Sequence, residues 1–412
     1  MPAEINHNEL KALSRLPVRS GLLPLFSAMV LLGAAAFLYG ISGPNAPRVW
    51  QAYLINFVFW TGMAAGCVLF SAILSITHAH WGRSLKRLAE APVFFLPVAL
   101  LLFALLYPGR QEIFPWILHP VAEKAAWLNA PFLFLRDGAG LLALAATATV
   151  LILISVRRER QASTAGRRPM PEQNREEKVA ITAAIIYSIL YAVILSLLAF
   201  DLVMSLSPHW YSSLFGAYYF VGSFLAALSL LMVLTLLVTR NGKLHDYIRG
   251  DQLHNLGKLM LGFTLVTGDF FYTQFLVIWY GNLPEETEFV ILRTQFQPWS
   301  SVAWTVLTLG FILPFVLLLS RRIKTRPLAM LALSFVILGA MWLDKFLLIA
   351  PSLWRGPGLP LGLAEILITM GFFGIMAICI LVFMKKYPLL PYGDPLFHYD
   401  LTHAQQKSGG ST

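Results

Sequence analysis

Long apolar runs alternate with short polar segments along the whole chain. Each run is long enough to form a helix that crosses about 30 Å of hydrocarbon. The approximate bounds of the runs are 21–41, 50–77, 90–107, 131–155, 179–206, 213–239, 256–281, 297–320, 327–349 and 359–384. The pattern predicts an all-α integral membrane protein with about ten transmembrane helices.

Two of these runs end in similar segments. Helix 5 ends in FDLVMSLSPHW and helix 9 in LDKFLLIAPSLW, and in each an aspartate, Asp201 or Asp344, stands seven residues before a proline. Both segments are expected to cross the membrane in the same direction. They predict two related four-helix bundles, helices 2–5 and helices 6–9, in parallel orientation, with helices 1 and 10 at the flanks.

The basic residues give the predicted orientation. With a cytoplasmic N-terminus, most of the 31 Lys and Arg side chains fall in cytoplasmic loops and tails, including Arg83, Lys86 and Arg87 after helix 2. The opposite loops contain only Arg48, Arg110, Lys124, Arg293 and Arg355. This bias follows the positive-inside rule and predicts that both termini are cytoplasmic. Topology thus explains the net charge of +10, and nucleic-acid binding is not expected.

The chain divides at its most polar segment. Residues 157–178, rich in Arg, Glu, Gln and Pro, are interpreted as a flexible cytoplasmic linker between helices 1–4 (21–156) and helices 5–10 (179–385). Residues 1–20 and 386–412 are interpreted as cytoplasmic tails. No small-residue cleavage site follows the first apolar run, so we expect this run to remain as a membrane anchor.

The composition agrees with a membrane protein and excludes several redox centres. Hydrophobic residues make up 57% of the chain and charged residues 13%, which is about half the charged fraction of a soluble domain. The two cysteines, Cys67 and Cys379, stand alone in apolar runs and form no CxxC, CxxCH or iron–sulfur ligand pattern. We therefore expect this chain to bind no metal, haem or iron–sulfur cluster.

Ionisable side chains inside the predicted helices are candidates for function, because they are costly in hydrocarbon. Most of them lie towards the outer side of the membrane, whereas Asp269 lies near mid-depth. On helix 7, His254, Lys258 and Asp269 share one side at 100° per residue. The candidates for a proton pathway are Asp269, Asp201, Asp344, Lys258, His254 and Glu365. In the alternative interpretation, groups such as Asp344 and Lys345 only fix helix packing.

Three segments resemble NrfD-like membrane subunits of alternative complex III. They are YTQFLVIWYGNLPEE (272–286), FDLVMSLSPHWYSSLFGAYYFVGSF (200–224) and DQLHNLGKLMLGF (251–263). The resemblance to the broader NrfD/PsrC group, the membrane subunits of polysulfide reductases, covers nearly the whole chain. It is greatest to the smaller of the two NrfD-like subunits of that complex.

The resemblance implies a role in the oxidation of menaquinol or ubiquinol in the bacterial cytoplasmic (inner) membrane. The implied partners are a second NrfD-like subunit, an iron–sulfur or molybdopterin-type subunit, c-type cytochromes and a terminal oxidase, besides lipids. Iron–sulfur clusters and haem c would lie in those partners, on the outer side. The chain would then be a subunit of a quinol:electron-acceptor oxidoreductase without a redox centre of its own.

The resemblance also implies a quinone pocket at the outer end of the first bundle. Besides Asp201, that zone contains Tyr53, Asn56, His119, Arg136, Asp137 and His209. A histidine beside a carboxylate suits quinol oxidation, because each quinol releases two protons. Loop histidines near aromatic residues are alternatively interfacial anchors. No His–Asp quinol pair can be matched, so we expect a degenerate pocket and give more weight to proton conduction.

Two other classes of function fit part of the pattern. A proton-coupled secondary transporter would also have about ten helices, an internal repeat and a carboxylate at mid-depth. However, Pro97 and Pro314 interrupt helices 3 and 8, which do not correspond in the proposed repeat. A purely structural anchor for outer redox subunits is the third interpretation, since the outer side is rich in Trp and Tyr.

Overall fold

The computed structural model describes residues 21–162, 170–240, 247–248, 250–354, 356–392, 394 and 396–397. Within these ranges the chain is built from helices and contains no strand. The predicted tail at residues 1–20, the middle of the predicted linker (163–169) and residues 398–412 lie outside the described part. The prediction of an all-α protein is confirmed.

Ten long helices are each apolar enough to cross a membrane, as the sequence predicted. They are α1 Leu22–Ile41, α2 Ala46–Ile76, α3 Arg83–Ala104, α4 Ala130–Ala162, α5 Met170–Leu202, α6 Phe215–Thr239, α7 Gly250–Gly281, α8 Trp299–Leu319, α9 Pro327–Leu353 and α10 Leu363–Lys386. α4 and α5 extend into the predicted linker from both sides. α5 and α9 finish at the same end of the bundle. The sequence predicts that this end faces outward, and we call it the outer end.

α2 and α6 form the centre of the molecule. In each of them, 89% of the most apolar stretch is buried against other helices, compared with 17% in α7 and 6% in α1. A helix that is apolar on all sides must be surrounded by protein or lipid. The other helices of the chain therefore surround α2 and α6. α1, α7 and α8 each have one side that no other described helix of the chain covers.

The helices pack in two rings that share a wall. α2, α3, α4 and α5 contact one another in sequence around the first ring, and α6, α7, α8 and α9 do so around the second. α2 also contacts α6 and α9, so it lies between the rings. α1 and α10 pack along each other, and they reach the rest of the molecule through α2 and α3.

α3 begins earlier than the sequence predicted, because its first turns are covered by the segment after α10. Arg83 and Arg87, expected in a loop, are buried inside α3. Arg83 pairs with Asp394 at 3.0 Å, and Arg87 pairs with the buried Glu90. Ser71 on α2 donates a further hydrogen bond to Glu90 at 2.8 Å. The long-range contact with Asp394 explains why apolarity alone placed the start of α3 too late.

Glycines allow α1 and α10 to approach closely. A Cβ atom on Gly33 would lie 2.7 Å from the Cα atom of Gly371, and one on Gly374 would lie 2.8 Å from the carbonyl oxygen of Phe26. Small residues permit this kind of backbone contact between membrane helices, where van der Waals packing drives association. The docking of α1 therefore depends on this crossing.

We expect Gly371→Leu to separate α1 from α10 and to lower the free energy of unfolding by about 1–3 kcal/mol, as overpacking typically does. The melting temperature of the purified protein in detergent measures the effect. Gly339→Leu on α9 is the matched control, because a Cβ there meets nothing within 4 Å. An equal loss of melting temperature in both variants would contradict the role of the crossing.

Candidate functional site

Two buried aspartates mark the outer ends of α5 and α9. Asp201 lies in the last turn of α5, whereas Asp344 lies nine residues before the end of α9. α5 stops at Leu202, but α9 continues through Pro351 to Leu353. The two segments thus differ in local structure despite their similar sequences, and each aspartate has its own partners.

The first acidic cluster consists of Trp127, Arg136, Asp137 and Asp201. Arg136 on α4 donates to Oδ2 of Asp201 from Nε at 2.9 Å and from Nη2 at 2.5 Å. Trp127 donates its Nε1 to Oδ1 of Asp201 at 2.8 Å, and the Arg136 guanidinium lies over the Trp127 ring, 3.8 Å from its centroid. Both oxygen atoms of Asp201 thus accept hydrogen bonds, two of them from the Arg136 guanidinium.

Asp137 is the second carboxyl group of this cluster and is left without a comparable partner. It is fully buried beside Asp201 and Arg136. No described donor reaches either of its oxygen atoms, and Nη1 of Arg136 has no described acceptor. Asp137 and Asp201 lie within reach of a hydrogen bond that forms only when one of the two carboxyl groups carries a proton. One guanidinium thus accompanies two carboxyl groups. Because an uncompensated buried charge is costly, this arrangement favours Asp137 in its neutral form, which carries a proton.

The second acidic cluster consists of Tyr218, Tyr219, Asp344 and Lys345. Lys345 donates to Oδ2 of Asp344 at 2.8 Å, and the Tyr218 hydroxyl donates to Oδ1 at 2.5 Å. The Lys345 ammonium also lies 5.0 Å from the centroid of the Tyr219 ring. One acid is here balanced by one base, so this cluster favours two ionised groups and holds no extra proton.

Hydrogen bonds connect the two rings at the outer end. Ser207, after α5, lies 2.9 Å from Ser352 in the last turn of α9, oxygen to oxygen. Arg293, on the short helix Pro284–Thr294, donates to Ser352 at 2.8 Å and to the Leu347 carbonyl at 3.0 Å. Burial lowers the pKa of Arg293 to about 9, which still leaves it charged at neutral pH. The guanidinium therefore binds the end of α9 as a cation.

Glu365 joins α10 to the start of α2. Its carboxylate pairs with Arg48 and accepts a hydrogen bond from the backbone N–H of Gly362 at 2.8 Å. Nearby, Asn56 donates to Thr369 at 3.0 Å. A cavity of about 200 Å³ opens beside these groups, and its lining comprises Trp342, Leu361, Glu365, Ile366, Thr369 and Met370. The lining is mostly apolar, with the carboxylate at its edge.

The residues predicted for a quinone pocket are spread over several places. Arg136 and Asp137 belong to the first acidic cluster, while Asn56 lies near the Glu365 cavity. Tyr53 donates its hydroxyl to the Leu102 carbonyl at 2.8 Å. His119 and His209 are exposed in loops at the outer end. The structure therefore brings two of these six predicted residues into the first cluster.

The predicted pathway residues of α7 are remote from both clusters. Asp269 and Lys258 are exposed, and His254 lies near the opposite end of the bundle, beside Lys324. Desolvation and the neighbouring charge of Lys258 lower the pKa of Lys324. Asp201 and Asp344 are buried within the protein, whereas Asp269 faces away from it. A proton path through Asp269 would therefore run along the outside of this chain and not through its interior.

Several partners in the clusters were not predicted from the sequence. From the sequence, Trp127 and Tyr218 are interpreted as interfacial or packing aromatic residues, and Arg48 and Arg293 as charged loop residues. In the structure each of them binds a distant partner. Each lies many residues away from its partner along the chain. No local sequence pattern pairs them.

The chain matches a known protein family over most of its length. The sequence model of the family described as Polysulphide reductase, NrfD, matches residues 40–355, which is most of the chain. No curated protein matches the chain. Proteins of the matched family are membrane subunits of respiratory redox complexes and associate with redox subunits. The chain therefore belongs to the NrfD polysulphide reductase family.

Proposed function

We propose that this chain is a membrane subunit of a quinol-oxidising respiratory complex of the alternative complex III type, in the bacterial inner membrane. Membership of the NrfD family supports the respiratory setting. The observation that carries the proposal is the surplus carboxyl group of the first acidic cluster, Asp137. It gives the chain a buried group that can hold a proton and release it.

The proposed division of labour follows from the balance of quinol oxidation. A quinol that becomes a quinone releases two electrons and two protons. The electrons pass to iron–sulfur clusters and haem c in partner subunits, since this chain has no ligand pattern for either. The protons need ionisable groups near the membrane surface, and this chain has them at its outer end.

Within the first acidic cluster, Asp137 is the exchangeable group. Arg136 and Trp127 keep Asp201 ionised by occupying both of its oxygens. The proton of Asp137 can be held in a hydrogen bond to Asp201. Asp137 becomes ionised when that proton passes to an acceptor outside the cluster, and it regains neutrality when a proton returns. The free Nη1 of Arg136 provides a donor that stabilises the transient anion.

We propose that the second acidic cluster contributes less to proton exchange than the first. Asp344 is already neutralised by Lys345 and held by Tyr218. A proton added to Asp344 would leave Lys345 as an unpaired buried cation, which is costly. Glu365 is balanced by Arg48 in the same way. The sequence led us to expect a degenerate quinone pocket at the outer end of the first bundle. We now propose it beside Glu365 instead, because a cavity adjoins that residue.

The outer end also supports docking of an extracytoplasmic redox subunit. Trp279 and Tyr280, at the end of α7, are 65% and 86% exposed, and Tyr211 is 59% exposed. Exposed aromatic residues of this kind are enriched in protein interfaces and at the membrane surface. The structural-anchor interpretation and the proton-handling one can therefore both hold for this chain.

Asp137→Asn in the intact complex is expected to lower proton release coupled to quinol oxidation, because an amide cannot carry the exchangeable proton. Assembly is expected to be normal, since asparagine has the shape of the neutral acid. Proton release and quinol:acceptor activity are measured in liposomes. Asp344→Asn and Asp137→Glu are the comparison variants, and both should retain more proton release. Wild-type proton release by Asp137→Asn would refute the proposed role.

Asp137 and Asp201 should be strongly non-additive in their effect on stability. In Asp201→Asn, Asp137 can ionise and neutralise Arg136, so the loss is modest. The double variant leaves Arg136 as an unpaired buried cation and is expected to lose about 3–5 kcal/mol. Thermal unfolding of the four proteins completes the double-mutant cycle. Simple additivity would show that the two carboxyl groups do not share one positive charge.

A further inference from the structure

Asp269 is a carboxyl group on an open face of α7. It lies 12 residues before the outer end of that helix, which places it about 18 Å from the end at 1.5 Å per residue. Its neighbours on the same face are exposed and apolar or aromatic: Leu265, Tyr272 and Leu276. No hydrogen bond or ion pair joins Asp269 to another described residue. A polar group thus lies at mid-depth where lipid tails would otherwise touch the protein.

No basic side chain among the described residues pairs with this carboxyl group. Lys258, the exposed basic residue on the same side of α7, is 11 residues earlier, so it lies about 16 Å away along the helix. Lys345 is buried and paired with Asp344. An ionisable group in hydrocarbon costs several kcal/mol unless it pairs, and such groups almost always face protein or water. A basic side chain of another protein can supply the cation that the described part of this chain does not.

The neighbouring helix α8 is irregular at the same depth. Gly268 packs directly against the Phe311 ring, and Phe311 lies 12 residues after the outer start of α8. Residues Thr308–Ile312 form a π-helical segment, and Thr308 is exposed. Such segments are rare and occur frequently at functional sites. The unpaired carboxyl group and the π-helical segment therefore lie at similar depth on two helices that pack against each other.

We propose that this surface, the α7–α8 face, binds a transmembrane helix of a different membrane protein, which presents an Arg or Lys side chain to Asp269. The α7–α8 face consists of Leu265, Asp269, Tyr272 and Leu276 on α7, and of Trp304 and Thr308 on α8. The basic side chain and Asp269 would form a buried ion pair at mid-depth, with apolar contacts around it.

A second copy of this chain does not fit the same face. Two copies in one membrane are related by an axis along the membrane normal, so equivalent residues meet at equal depth. Asp269 would then face Asp269, with no cation between them. Lipid headgroups do not reach mid-depth either, and their tails cannot neutralise a carboxylate. The proposal is independent of the proton-handling role given to the first acidic cluster.

Photocrosslinking in cells that contain all natural partners identifies the occupant. A photoreactive phenylalanine analogue replaces Leu276, and the same analogue at the exposed Leu31 on α1 is the control. The expected product at Leu276 contains a different membrane protein, whose crosslinked helix carries an Arg or Lys within two turns of the adduct. A product with a second copy of this chain, with lipid alone, or with a helix that lacks a basic residue would overturn the proposal.

Asp269→Leu tests the ion pair directly. We expect the amount of crosslinked partner that remains bound in mild detergent to fall at least about tenfold. Asp269→Glu should retain the partner. Thr305→Leu on α8 is the matched control, because the exposed Thr305 hydroxyl already donates to the Ser301 carbonyl at 2.8 Å. The melting temperature of the isolated chain should not fall in Asp269→Leu, since Asp269 contacts no described partner.

A charge exchange completes the test. Asp269→Arg, combined with an aspartate in place of the partner's basic residue, should restore the association that each single change removes. If Asp269→Leu keeps the partner bound and instead loses only proton release, Asp269 belongs to a proton pathway and the proposal fails. Normal proton release by Asp137→Asn would refute the role of the first acidic cluster and would leave this proposal unaffected.

Discussion

The structure depends on one constraint: a charge inside an apolar bundle must be neutralised where it stands. Each solution found here joins separate parts of the fold. Arg136 with Asp201 connects α4 to α5, and Arg48 with Glu365 connects the start of α2 to that of α10. Such pairs add little net stability relative to apolar packing, but breaking one is expensive. They therefore select one helix register among many that apolar surfaces alone would tolerate.

The same constraint makes an unequal count of acids and bases informative. Where acids and bases are equal, as for Asp344 and Lys345, both charges are fixed and the site is structural in character. Where one acid is in excess, as for Asp137, a proton must make up the difference, and a proton can move. Asp269 also lacks a base among the described residues, and there we propose that the base belongs to another molecule.

The sequence predicted what depends on local composition and missed what depends on distant contacts. The ten spans follow from apolar runs that act independently, so their number was recovered. The start of α3 was placed too late because Asp394, far along the chain, covers Arg83. The depth of Asp269 could be counted along the helix, but the direction it faces depends on which helices flank α7. The partners of Asp201, Trp127 and Arg136, could not be predicted from sequence spacing, because they lie far from it along the chain.

The wall that α2 forms between the two helix rings limits how the molecule can move. Rocking carriers open one side and then the other by swinging two halves about a loosely packed seam. Here the seam is the most deeply buried part of the protein, since α2 contacts both α6 and α9 and is 89% buried in its apolar stretch. Separation of the rings would expose the core itself. The proposed role in proton handling needs no such separation, because a proton moves between fixed side chains.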